Sequence, residues 1–208
     1  MMTTERAVPI WVRLWHWITA ILFLGLAITG VVLHFAAPGF TPMNYAMATT
    51  LHDISGILLA VCYGLYLLML IGTGYWRQYI PARQGLWRRL KTQVAYYSIS
   101  MALDEPGNTV LAVGTRFNAL QQLTYFIVVF GLLPLLIVTG LMYLYPQYAP
   151  REVLGVDGLW PIALAHYAVG ILGTVYLIVH IYLAISSPGA AASLRLMTTG
   201  RAESAQKS

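Results

Sequence analysis

Apolar residues along this chain gather into four long runs, about Ile10–Phe35, Leu51–Gly72, Phe117–Tyr145 and Trp160–Ser186, each free of Lys, Arg and Glu over most of its length. A bilayer core about 30 Å thick is crossed by about 20 apolar residues in an α-helix, so every run is long enough to span. The pattern predicts an all-α membrane protein, a four-transmembrane-helix bundle forming one integral domain over residues 1–208. The first run is longer than the roughly 7–15 apolar residues of a signal peptide and is expected to remain in the mature protein as helix 1.

The connection of about residues 73–115 has a different pattern. Pro81 can start a helix there, and Leu86, Trp87, Leu90, Val94 and Tyr97 alternate with Arg88, Arg89 and Lys91 at roughly helical spacing. This predicts an interfacial helix lying on the membrane surface. Asp104, Glu105, Pro106, Gly107 and Asn108 should break any helix before the third span. Trp11, Trp15, Trp17, Trp76, Trp87, Tyr143, Tyr145, Tyr148 and Trp160 gather near predicted helix ends, where an aromatic belt anchors a protein at the headgroups.

Composition sharpens this picture. The chain is 59% hydrophobic and 9% charged, against about 25% charged in ordinary soluble proteins, which excludes a water-facing globule. The single cysteine, Cys62, lies inside an apolar run and excludes a disulfide framework or an iron–sulfur cluster held by this chain alone. A net charge of +5 would suit nucleic acid only if the cations clustered on a polar surface with stacking aromatics. They flank the apolar runs instead. Lys and Arg are retained on the cytoplasmic side, and eleven of the twelve cations precede or open helix 1, join helices 2 and 3 or follow helix 4, with Arg151 the exception. Both termini are therefore predicted to be cytoplasmic.

Ionisable residues within spans are costly and mark function, so the histidines carry most of the chemical information. The orientation puts His16 and His180 toward the cytoplasmic ends of helices 1 and 4, and His52 and His166 toward the outer ends of helices 2 and 4. Fourteen residues separate His166 from His180; at about 100° and 1.5 Å per residue they fall about 40° short of four turns and about 21 Å apart. Both imidazoles face one way, too far apart for a single metal ion with bonds of about 2 Å. Two bis-histidine haems b fit, one between His52 and His166 and one between His16 and His180, because a porphyrin supplies four nitrogens and asks only for two axial ligands. Gly56, Gly170 and Gly173 follow the outer histidines at near-helical intervals, and Gly25 and Gly30 lie on helix 1. They offer bare backbone beside a porphyrin or close helix packing. His34 has no partner at its level and is left outside the ligand set as an interfacial residue.

Arg13-Leu-Trp-His16-Trp opening helix 1, His52-Asp-Ile-Ser-Gly56 on helix 2, Arg116-Phe-Asn118-Ala-Leu-Gln121 opening helix 3, and the His166 and His180 pair together resemble the dihaem cytochrome b subunit of membrane-bound formate dehydrogenases. Related members serve nickel–iron hydrogenases and thiosulfate reductases. The resemblance runs from Ile10 to Ser186 and implies a membrane-anchoring subunit of the bacterial inner membrane. Such a subunit passes electrons between a periplasmic iron–sulfur or multihaem subunit, with its catalytic subunit, and the membrane quinone pool.

Carried onto this sequence, the resemblance gives His52 and His166 to the outer haem, His16 and His180 to the inner one, and Asn118 and Gln121 to the border of an exchangeable quinone. The last two residues equally suit a polar cluster serving free backbone donors at a helix start. Arg13 and Arg116 are placed to meet haem propionates through charge-assisted hydrogen bonds, or to act simply as orientation signals. Two other classes stay open: a stand-alone cytochrome b561-like oxidoreductase passing electrons from a diffusible reductant such as superoxide to quinone, and a haem-free transporter whose histidines relay protons.

Overall fold

The structure, a computed structural model, describes residues 8–35, 43–81, 83–97, 118–186 and 190–200. Among the described residues four helical segments are long and apolar enough to cross a membrane: α1 (Ile10–His34), α2 (Tyr45–Thr73), the stretch Ala119–Leu144, and α6 (Leu159–Ser186). Their apolar side chains point largely outward. Ile21, Leu68, Ile71 and Ile185 are each between 69% and 72% exposed, the reverse of a soluble core and the arrangement that lipid rewards.

Helix α2 begins nearly two turns before the expected Leu51. The reason is local: the Asn44 side chain accepts from the Ala46 backbone N–H at 2.9 Å, while the Thr49 and Thr50 hydroxyls return to the carbonyls of Tyr45 and Ala46. A polar segment that satisfies its own hydrogen bonds continues as helix beyond the apolar run. His52 accordingly lies inside α2 rather than at its start.

The third span is continuous but not uniform. It comprises α4 (Ala119–Ile127), a π-turn over Val128–Leu132, and α5 (Leu133–Leu144). Pro134, in the first turn of α5, has no N–H and its ring would crowd the carbonyl four residues earlier; a wider turn just before it relieves both effects.

The sequence pattern places the start of the helix between the second and third spans at Pro81, whereas the structure has a 3-10 turn at Tyr75–Tyr79 and then α3 at Leu86–Ala95. One side of α3 packs against the protein while apolar residues on another stay free for a membrane surface. Leu90 and Gln93 are buried, while Trp87 is 77% and Val94 50% exposed. Gln93 is inward because its carbonyl oxygen accepts the Leu120 N–H at 2.7 Å, serving one of the free donors at the start of α4. The breaker segment 104–108 lies outside the described residues.

Helices α5 and α6 are joined by a 3-10 turn (Pro146–Tyr148) and a small hairpin, β1 (Glu152–Val153) against β2 (Val156–Asp157). The all-helical expectation did not include this hairpin. Leu154 and Gly155 both have positive φ, 53° and 82°, as a two-residue hairpin turn requires. Gly158 follows directly against the Pro150 carbonyl, where a Cβ could not fit. The Asp157 side chain then accepts the Leu159 N–H at 2.9 Å and starts α6. Helix α7 (Ala190–Thr199) completes the order.

The described residues fall into two compact units. One is formed by Trp11–Leu67 with Leu132–His180, and the other holds the remainder, chiefly Leu68–Gly131. In the first, Trp15 stacks on the buried Tyr66 with ring centres 3.7 Å apart and planes within 10°, so this tryptophan packs inside its unit rather than serving only as an interfacial anchor. At Gly173 of α6 a Cβ would sit 2.8 Å from the Phe23 ring and 3.5–3.6 Å from Leu132 and Leu136. The expectation of bare backbone beside a porphyrin does not hold at Gly173, whose open side is filled by these neighbours; close helix packing is its role.

Candidate functional site

All four histidines singled out in the sequence belong to the first unit, and the fold pairs them as expected. The rings of His16 on α1 and His180 on α6 have centres 6.2 Å apart, and those of His52 on α2 and His166 on α6 have centres 6.3 Å apart. These spacings can be tested against a metal held axially from both sides. Two metal–imidazole bonds of about 2 Å, plus about 1 Å from each nitrogen to its ring centre, require roughly 6 Å between ring centres. Both pairs meet that spacing. Among the described residues no group of three or more His, Cys, Asp or Glu side chains could enclose an ion. Each centre therefore offers two nitrogens, which is the donor set that a haem lacks.

Hydrogen bonds differ between the two pairs. The Thr29 hydroxyl on α1 lies 2.9 Å from Nδ1 of His52, and the Thr139 hydroxyl on α5 lies 3.0 Å from Nδ1 of His166. Backbone beside these rings is bare as well: a Cβ at Gly30 would come 3.6 Å from Cε1 of His52, and one at Gly140 only 3.0 Å from Cε1 of His166. At the other pair, His16 Nδ1 is buried with no hydrogen-bond partner among the described residues, and the His180 ring is stacked on Tyr176 at 5.6 Å.

The sequence reading missed Thr29, Thr139 and Gly140. A signal for them exists, because Ile28-Thr29-Gly30-Val31 and Val138-Thr139-Gly140-Leu141 are the same apolar–Thr–Gly–apolar tetrad on two spans. Of the expected glycines, Gly170 has open space at its Cβ position, while a Cβ at Gly25 or Gly56 would lie 4.0 Å from Ser55 or Leu26, respectively, across α1 and α2.

His34 lies outside both pairs but is not isolated. Its ring stacks on Tyr167 at 4.6 Å, and its Nε2 lies 3.2 Å from the Tyr167 hydroxyl. Arg13 is half-buried on α1 one turn before His16, while Arg116 lies outside the described residues.

Asn118 and Gln121 form a reciprocal capping box at the start of α4. The Asn118 side chain accepts the Gln121 N–H at 2.8 Å, and the Gln121 side chain accepts the Asn118 N–H at 3.1 Å. This is the helix-start cluster that the sequence left open as one of two readings. The Asn118 amide also donates to the Tyr97 hydroxyl at 3.3 Å, and the nearby buried Gln122 donates to the Gln78 carbonyl at 3.3 Å.

Four apolar spans with histidines paired at axial-ligand spacing define a multi-pass membrane cytochrome, a class of electron-transfer protein. The comparisons with known proteins agree: residues 7–200 match the prokaryotic cytochrome b561 family, and the chain belongs to it. Membership implies b-type haem. The chain is 35% identical over 173 residues to the cytochrome YdhU of Escherichia coli K12, an alignment covering 83% of this chain and 64% of that relative. It is also similar to a Ni/Fe-hydrogenase B-type cytochrome subunit of Rhizobium leguminosarum bv. viciae, 30% identical over 193 residues and covering 84% of this chain and 77% of the relative.

Proposed function

We propose that this chain is a dihaem, membrane-anchoring cytochrome b subunit of the bacterial inner membrane that transfers electrons between a periplasmic redox complex and the quinone pool. The observation that carries this reading is the pair of facing histidines at 6.2 Å and 6.3 Å, with their two α6 members 14 residues apart in sequence. A haem at each pair would supply a one-electron iron couple. The protein's part is to hold two imidazoles toward each iron, to surround them with apolar helix that excludes water, and to fix ring orientation through Thr29 and Thr139.

The cation distribution supports cytoplasmic termini, and with them a His16 and His180 pair toward the cytoplasm and a His52 and His166 pair toward the periplasm. Arg13 and Arg116 are proposed to meet propionates. Asn118 and Gln121 are proposed to border the quinone headgroup while also capping α4. The partners proposed on the outer side are an iron–sulfur or multihaem electron-transfer subunit and a catalytic subunit; the name of the hydrogenase cytochrome relative supports such an assembly.

Two measurements on protein extracted in mild detergent test the reading. Haem extraction should give two b-type haems per chain, and zero or one would overturn the dihaem assignment. Stoichiometric redox partners should accompany the chain, whereas a lone haemoprotein oxidising a diffusible reductant would overturn the anchoring role.

A further inference from the structure

The two histidine pairs are alike in spacing and unlike in what touches their outer nitrogens. We propose that Thr29 and Thr139 are positioning residues that hold His52 and His166 as Nδ1–H tautomers, and thereby make the centre between them the lower-potential one of the two. This inference rests on the dihaem reading above.

A threonine hydroxyl has one proton to donate and lone pairs with which to accept. The Thr29 hydroxyl lies 2.8 Å from the Gly25 carbonyl, and the Thr139 hydroxyl lies 2.6 Å from the Leu135 carbonyl, each one turn earlier on its own helix. A carbonyl can only accept, so the hydroxyl proton is used there. Toward histidine the oxygen is then an acceptor, and the nitrogen facing it must carry the hydrogen. Both threonines are buried, at 4% and 6% exposure, so bulk water does not rearrange this network.

A neutral imidazole protonated at Nδ1 has its lone pair at Nε2. The same device thus acts on both rings of one pair, from α1 onto α2 and from α5 onto α6. An acceptor on the far N–H raises the basicity of the ligating nitrogen. A more basic axial ligand favours the oxidised, more positive iron, and hydrogen bonds to the ligating imidazoles are one of the means by which a protein sets haem potential. His16 has no such acceptor at its buried Nδ1 among the described residues. The pair containing it therefore lacks this device on at least one ring, and its centre takes the higher potential. Under the orientation proposed above, the difference favours electron passage from the periplasmic side inward.

The test is an optical and EPR redox titration of the haem-loaded full chain in detergent. It compares the parent with Thr29→Val, Thr139→Val and both together, and with the serine substitutions as rescue. Valine keeps the shape of threonine and removes the oxygen; if a valine variant does not accumulate, alanine removes the same oxygen without adding bulk. We expect two b-type components in the parent, with only the lower one moving upward. Loss of one bond should shift its reduction equilibrium about tenfold, equivalent to 59 mV for a one-electron couple. The low-spin EPR signal of that component should change with it, and serine should restore both. Two components whose midpoints ignore the valine substitutions would overturn the inference, as would a shift confined to the upper component. A parent with fewer than two b-type components would instead mark failure of the dihaem reading itself.

Discussion

Gly140 on α5 and His166 on α6 meet so closely that a Cβ on the glycine would lie 3.0 Å from the imidazole Cε1. The ring cannot easily retreat, because its Nδ1 is tied to Thr139 at 3.0 Å. Gly140→Ala should therefore tilt a proposed ligand, with an overpacking cost of about 1–3 kcal/mol. The expected result is loss of haem from one centre, seen as a haem-to-protein ratio falling toward half. Gly30→Ala is the matched control. Its Cβ would sit at an ordinary 3.6 Å from the His52 ring, and haem content should stay near that of the parent.

Because each pair is assigned its own iron, the histidine substitutions should act separately. His52→Ala or His166→Ala is expected to remove one haem and leave the other, and His16→Ala or His180→Ala should do the converse. Haem extraction combined with redox titration would show which component is lost. His34→Ala should retain both haems, since His34 contacts Tyr167 and neither pair. Loss of both haems from every single variant would argue against two separable centres.

The four spans and the paired histidines were legible in the sequence because both depend on simple periodicities: about 20 apolar residues to cross a bilayer, and 14 residues to return to nearly the same helix face. The supporting residues were harder to see. Thr29 and Thr139 each satisfy their hydroxyl on their own backbone, so in an apolar run they look neutral. Only the position of the neighbouring helix shows that the same hydroxyl meets a histidine. The early start of α2 was hidden for a related reason. Asn44, Thr49 and Thr50 resolve their polarity locally, and a hydropathy pattern reads that polarity as the end of a helix.

Asn118 has two roles to separate, the observed cap and the proposed quinone contact. Asn118→Ala removes the acceptor for the Gln121 N–H and should cost about 1 kcal/mol, read as a lower unfolding midpoint in detergent. Asn118→Asp keeps an oxygen in the capping position and adds a negative charge, which is favourable at a helix N-terminus. Its unfolding midpoint should therefore match the parent. If the amide of Asn118 also borders the quinone headgroup, the aspartate variant should reduce quinone more slowly although it is stable. An unchanged rate in that variant would leave Asn118 as a cap alone.

The contact between Gly173 and Phe23 yields a test of packing that is independent of haem chemistry. With a Cβ only 2.8 Å from the Phe23 ring and leucines at 3.5 Å and 3.6 Å on its other sides, Gly173→Ala should force the ring or the helix to move, at about 1–3 kcal/mol. Phe23→Leu shortens the opposing side chain and by itself should lose some packing. Combined, the two changes should be less harmful than their sum, because the smaller side chain makes room for the added methyl. A double-mutant cycle in detergent reads the coupling directly. Strict additivity would mean that α1 and α6 do not meet at this point, and that the glycine is needed for something other than their close approach.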